Sequence, residues 1–171
     1  MNTSEEVLSL SSCYTQASRE PLKMTPLPSD PWQQVSIDFC EVAEHYVLVV
    51  IDDYSRFPEV AIVHSTAAKA VIPKLDSIFS SYGVPQIVKS DNVPSFNGHE
   101  FALFAEYLGF KHHNVTPLWP ETNRKVERLK KAFGKVLRTT ASWKQEMCHF
   151  LRNYRATPHC TTGVAPATAL F

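Results

Sequence analysis

Glycine is scarce in this chain, with only Gly83, Gly98, Gly109, Gly134 and Gly163 among 171 residues. No two of them are close, which excludes a GxGxxG turn and a P-loop, so no small-molecule nucleotide substrate is expected. Cysteine is equally sparse. Cys13, Cys40, Cys148 and Cys160 are too few and too scattered for a disulfide scaffold. An excess of charge of either sign is missing, since Lys plus Arg is 17 and Asp plus Glu is 17. A uniformly basic coat is thereby excluded, and any contact with nucleic acid must come from a local patch. Long apolar runs are absent too. The longest is Tyr46–Ile51, far short of a membrane span, so no membrane partner is expected. The first residues, MNTSEEVLSLSSC, lack the basic start and apolar stretch of a secretory signal. These absences lead to the expectation of a soluble, intracellular chain under reducing conditions.

What is present is enough for one folded unit. The apolar fraction is 44% and the aromatic fraction 11%, as in a globular domain with a buried core. Residues 1–30 are polar and run into TPLPSDP, which reads as an extended leader. The domain is expected over 31–171, with Trp32 at its start. QVSIDFCE (34–41) and HYVLVVID (45–52) read as strands, the second continuously apolar as a central buried strand would be. PEVAIV (58–63) follows the turn DDYSRF as an antiparallel third strand. The period then changes. Val71, Leu75, Ile78, Phe79 and Tyr82 fall at helical spacing over 67–82, and Gly83 with Pro85 stops the helix. QIVKSD (86–91) is a fourth strand, 100–108 a helix ended by Gly109, and KHHNVT (111–116) a fifth strand. Helices are expected over 121–138 and 143–156. The order predicts an α/β fold with a five-stranded mixed sheet flanked by helices.

Three carboxylates stand out. Asp38 lies inside the first strand between Ile37 and Phe39, where an uncompensated carboxylate is costly. Asp91 ends the fourth strand. Glu127 lies in the first turns of the long helix, 35 residues beyond Asp91. Composition alone would supply such a spacing roughly 0.4 times, so the weight rests on the strand-interior, strand-end and helix-start contexts. That helix also carries Arg124, Lys125, Arg128, Lys130, Lys131, Lys135 and Arg138 over 124–138, against Glu127 as the single acid. A neutral protein thus has one basic face, suited to DNA phosphates.

The local sequences around these residues are informative: PWQQVSIDF (31–39), VVIDDYSRFPEV (49–60), IFSSYGVPQIVKSDNVPSF (78–96), LGFKH (108–112), NRKVER (123–128) and YRATPHCTTGVAPATALF (154–171). With these motifs in this order, the chain resembles the catalytic core of retroviral-type integrases, and most of all the gypsy-type retrotransposon branch. The resemblance spans about 31–171. It implies a ribonuclease H-like fold and the catalytic and metal-binding triad Asp38, Asp91 and Glu127. It also implies phosphodiester cleavage and strand transfer on DNA with two Mg²⁺ or Mn²⁺ ions, and a homo-oligomer of at least two copies. Hard carboxylate oxygens suit such ions, and a two-metal arrangement can serve both the attacking and the leaving oxygen. Asn92, Asn123, Arg124, Arg128, Lys130 and Lys131 are the residues expected to contact DNA. A nuclear site of action follows from the DNA substrate; otherwise the chain would be cytoplasmic.

Three departures from the family pattern open an alternative, a catalytically degenerate, domesticated module that binds DNA or protein. Val93 stands where the family usually has Gly after the Asn of SDN, although the following Pro94 should hold it in the extended region where valine is comfortable. Arg124 replaces Gly after Asn123 and could grip a phosphate or pair with Glu127. As part of the same departure, the adjoining LWPETN replaces a Tyr-His-Pro stretch, leaving Trp119 as a candidate for base stacking. SCYTQ (12–16) resembles the tail of a zinc-binding domain in which Gln16 stands for a second cysteine. Cys148–His149 and His159–Cys160 offer a weaker zinc possibility, because adjacent helical residues point apart. There the simpler expectation is buried thiols and surface histidines. Trp32 and Trp143 read as core anchors.

Overall fold

The structure, a computed structural model, describes residues 28–42, 44–115, 131 and 142–171. The strands are β1 (Gln34–Val42), β2 (His45–Asp52), β3 (Pro58–Val63), β4 (Ile87–Ser90) and β5 (Lys111–Asn114). The helices are α1 (Ala68–Tyr82), α2 (Pro94–Asn97), α3 (His99–Leu108), α4 (Trp143–Ala156) and α5 (Pro166–Leu170). The five strands form one sheet in the order β3-β2-β1-β4-β5. β1 pairs antiparallel with β2 and parallel with β4, so the sheet is mixed and β1 lies at its centre. Among the described residues no helix is long and apolar enough to cross a membrane.

Side-chain alternation along the central strands serves two cores. Val35 and Ile37 of β1, with Leu48 and Val50 of β2, pack with Val71, Leu75 and Phe79 of α1 and Phe101 and Phe104 of α3. Cys40 and Val42, with Val47, Val49 and Ile51, face Met147 and Leu151 of α4. Both faces of β2 are covered, which is why its sequence is continuously apolar. Trp32 anchors the entry to β1. It is 7% exposed, its indole N–H donates to the Gly83 carbonyl at 2.8 Å, and its ring meets Tyr82 at 4.6 Å. Gly83 and Gly109 close α1 and α3 at φ 92° and 78°, a region costly for residues with a Cβ.

Among the described residues the expected elements are found in order with small shifts at their ends. The fourth strand is shorter than 86–91, and the fifth stops at Asn114 rather than 116. Two single-turn helices escaped the sequence reading. α2 and α5 each begin at a proline, whose fixed φ suits the first helical turn, but so short a helix shows no period. The leader through residue 27, with Cys13 and Gln16, lies outside the described residues, as does nearly all of the helix expected over 121–138.

Candidate functional site

Two of the three singled-out carboxylates are brought together. β1 and β4 run parallel with Ser36 opposite Lys89 and Ile37 opposite Ser90. The ladder ends at that pair, so Asp38 and Asp91 each follow its last rung by one residue, Asp38 within β1 and Asp91 just past β4. Both are half-buried, on the sheet face that α4 covers. Asp38 also accepts the backbone N–H of Phe39 at 2.6 Å. Glu127, Asn123, Arg124, Arg128 and Lys130 lie outside the described residues, as does Trp119. Lys131 is helical and exposed.

Aromatic packing holds the two strand segments to one another. Phe39, next to Asp38, stacks on Phe96 of α2 with centroids 5.1 Å apart and planes 4° off parallel. Phe96 in turn meets Phe101 edge-on at 5.3 Å. The chain that leaves Asp91 is thus pinned back over β1 within a few residues. Val93 sits in this return at φ −80° and ψ 148°, the extended conformation that the following proline favours. Its side chain packs against the larger core. The bulk added at this position is therefore absorbed by the core. Asn92 is exposed, and its Oδ1 accepts the Asn97 amide at 2.5 Å.

Behind Asp91, on the other face of the sheet, lies a small polar network. Ser90 Oγ donates to the Asp91 carbonyl at 3.0 Å and lies 2.8 Å from His112 Nε2. Burial, and secondarily the neighbouring His113, lowers the His112 pKa below its ordinary value, so the ring is neutral at pH 7. His113 points the other way and is exposed.

A second polar cluster went unremarked in the sequence. Asp53 is 1% exposed and accepts from Gln34 Nε2 at 2.6 Å and Ser36 Oγ at 2.8 Å, with Lys89 Nζ at 3.6 Å. Gln34 and Ser36 precede Asp38 at two-residue steps on the same face of β1, and Lys89 precedes Asp91 likewise on β4. A polar strip therefore runs along the sheet to the two carboxylates. Its signal was legible in the alternation of Gln34, Ser36 and Asp38 with the apolar Val35, Ile37 and Phe39.

The donor set fits a hard divalent cation. Paired carboxylates offer oxygen ligands, and Mg²⁺ commonly takes one or two of them while keeping several waters. Among the described residues no group of three or more His, Cys, Asp or Glu side chains could hold a metal, so a third ligand would have to come from elsewhere. The same finding removes the zinc possibility at Cys148, His149, His159 and Cys160. Both thiols are exposed rather than buried, because they fall on the outer side of α4 and in the turn after it, while among the described cysteines Cys40 is buried.

A family model described as the integrase core domain matches residues 28–120. An uncharacterised protein of Caenorhabditis elegans is 33% identical over 157 residues, which cover 88% of this chain and 12% of that protein. The Gag-Pol polyprotein of feline leukemia virus is 31% identical over 116 residues, covering 64% of this chain and 7% of the polyprotein. The chain thus spans about a tenth of the length of these relatives. Among solved structures, the integrase catalytic core domain of HTLV-2, determined with magnesium in a trimeric form, superposes with a TM-score of 0.69 at 16% identity. The match covers 84% of this chain and 99% of that one. The catalytic core of BIV integrase gives 0.66 at 19% identity, over 80% and 91% of the two chains. The fold is therefore ribonuclease H-like, as these cores are, and with the family model spanning more than half of its 171 residues the chain belongs to the integrase core domain family.

Proposed function

We propose that this chain is an integrase-type polynucleotidyl transferase core of the gypsy-type retrotransposon branch, acting on DNA in the nucleus. It would cleave a donor 3′ end and join it to target DNA. The observation that supports the reading is the register of β1 and β4, whose last rung, Ile37 with Ser90, comes one residue before both Asp38 and Asp91 in an integrase core family member. Asp38, Asp91 and Glu127 would hold two Mg²⁺ or Mn²⁺ ions, which when bound supply an activated oxygen nucleophile and a stabilised leaving oxygen. Asp38 would contribute its carboxylate to this site from the central strand. The protein's own part is positioning. The Phe39–Phe96 stack fixes the spacing of the two strand segments. Asn92, Asn123, Arg124, Arg128, Lys130 and Lys131 would seat the DNA phosphates. An assembly of at least two copies is part of the same reading.

Val93 supports activity over the degenerate alternative. Its extended backbone and core packing accommodate the side chain without strain, so this departure does not by itself spoil Asp91. Strand joining on a pre-branched DNA substrate with Mg²⁺ or Mn²⁺ tests the proposal. Wild type should act, and Asp91→Asn should lose on the order of 10³-fold or more. Wild type no more active than Asp91→Asn would favour the binding-module reading, and recovery with Val93→Gly plus Arg124→Gly would identify the lesion.

A further inference from the structure

We infer that His112 is a positioning residue that holds Asp91 in place through Ser90, acting on its main chain from the far side of the sheet. The inference rests on the proposed role of Asp91 as a metal ligand. Three contacts carry it. His112 Nε2 lies 2.8 Å from Ser90 Oγ, Ser90 Oγ lies 3.0 Å from the Asp91 carbonyl, and the Val115 N–H donates to the Ser90 carbonyl at 2.7 Å.

The direction of these bonds follows from counting protons. A serine hydroxyl has one proton to give. The Asp91 carbonyl can only accept, so Ser90 spends its proton there, with Asn114 Oδ1 as a more distant acceptor at 3.5 Å. Ser90 must then accept from His112, which assigns the proton of the neutral imidazole to Nε2. The ring itself is held by edge-on contact with Phe101 at 4.8 Å, and Phe101 is fully buried. A chain of contacts therefore runs from a rigid core aromatic, through His112 and Ser90, to the backbone of Asp91. β4 ends at Ser90, so Asp91 is the first residue past the ladder and needs such a tie to keep its carboxylate aligned with Asp38.

Partners of this kind are worth about 10–100-fold in metal affinity when removed. The test is Mn²⁺ titration of the full 171-residue chain, with free ion read by electron paramagnetic resonance and the melting temperature followed alongside. His112→Phe keeps a ring against Phe101 but has no donor. His112→Gln offers an amide N–H at about the reach of Nε2. Ser90→Ala removes the bridge with little change of bulk, and serves if the phenylalanine variant does not fold. Mn²⁺ affinity should fall about tenfold in His112→Phe and Ser90→Ala and stay within about threefold of wild type in His112→Gln. Wild-type affinity in His112→Phe and Ser90→Ala overturns the inference, and so does an equal loss in His112→Gln, which would make the ring and not its donor important. Asp91→Asn separates the two levels. If wild type takes up no Mn²⁺, or Asp91→Asn takes it up equally well, the metal-ligand reading fails and this inference falls with it. Uptake lost in Asp91→Asn but untouched in the His112 and Ser90 variants defeats this inference alone.

Discussion

Two pairs of aspartates sit on the central strands of the sheet or just past their ends, and do different work. Asp52 and Asp53, at the end of β2, are fully buried. Asp52 accepts the Trp32 and Tyr54 N–H groups on one oxygen, and the Ser55 N–H and hydroxyl on the other, at 2.6–3.3 Å. Asp53 is taken up by Gln34, Ser36 and Lys89. Asp38 and Asp91 are only half-buried, each one residue beyond the last rung that joins β1 to β4. Burial with a full set of donors makes a carboxylate a structural tie, because every lone pair is committed to the protein. Partial exposure beside a second carboxylate raises mutual repulsion that a cation relieves. Residue type alone does not separate the pairs; solvent access and donor supply do.

The contrast is broken most severely at Asp52. Asp52→Ala would leave four donors, three of them buried, without their acceptor and should cost about 3–5 kcal/mol in urea unfolding. Asp38→Asn should leave the unfolding midpoint close to wild type, since its site is half-open; a comparable loss there would erase the distinction. Lys89→Met tests the strip that links the two pairs. Removing the ammonium beside buried Asp53 should cost about 3 kcal/mol by the same assay, and adding Asp53→Asn should recover part of it. A smaller effect is expected at Val93. Val93→Gly installs the residue usual in the family but gives up packing against the core and loosens the unfolded chain, so the protein should lose about 1 kcal/mol in thermal melts. A gain in stability would mean that the extended backbone at this position is strained after all.

The smallest effect concerns a third committed carboxylate. Glu59 accepts the Tyr82 hydroxyl at 2.6 Å and pairs with Arg155 at 2.9 Å. Burial first, then the bond and charge of Glu59, push the Tyr82 pKa up to about 12 from 10.0. The folded state therefore holds the phenolic proton more tightly than the unfolded one. That contribution is complete below pH 10 and should be lost between pH 10 and about 12. In Tyr82→Phe the alkaline decline over this window should flatten, as read from urea midpoints against pH. An unchanged decline would assign it to other groups.

The elements were legible because their periods are strong. The apolar run of β2, the helical spacing in α1 and the stops at Gly83 and Gly109 are local signals that tertiary packing reinforces. Asp38 and Asp91 were legible for a related reason, being charged residues at the middle and end of apolar strands. Asp53 and Lys89 were not, since each looks like an ordinary surface residue until the sheet closes over it. His112 was passed over because its partner Ser90 lies 22 residues away in sequence. Cys148 and Cys160 were expected inside from their residue type, yet α4 turns its Met147 and Leu151 inward instead.

The sequence by itself determined the strands, the longer described helices, the family motifs and the two carboxylates in and just after strands, because each depends on neighbours within a few residues. Only the tertiary structure decided which strands lie side by side. The parallel pairing of β1 with β4 joins segments some fifty residues apart and cannot be read from either alone. That pairing brings the end of β4, with Asp91 next in the chain, up to Asp38 and buries Lys89 against Asp53, while the parallel pairing of β4 with β5 brings His112 up behind Ser90. Register across a sheet is a long-range property, settled by which faces the two cores can bury.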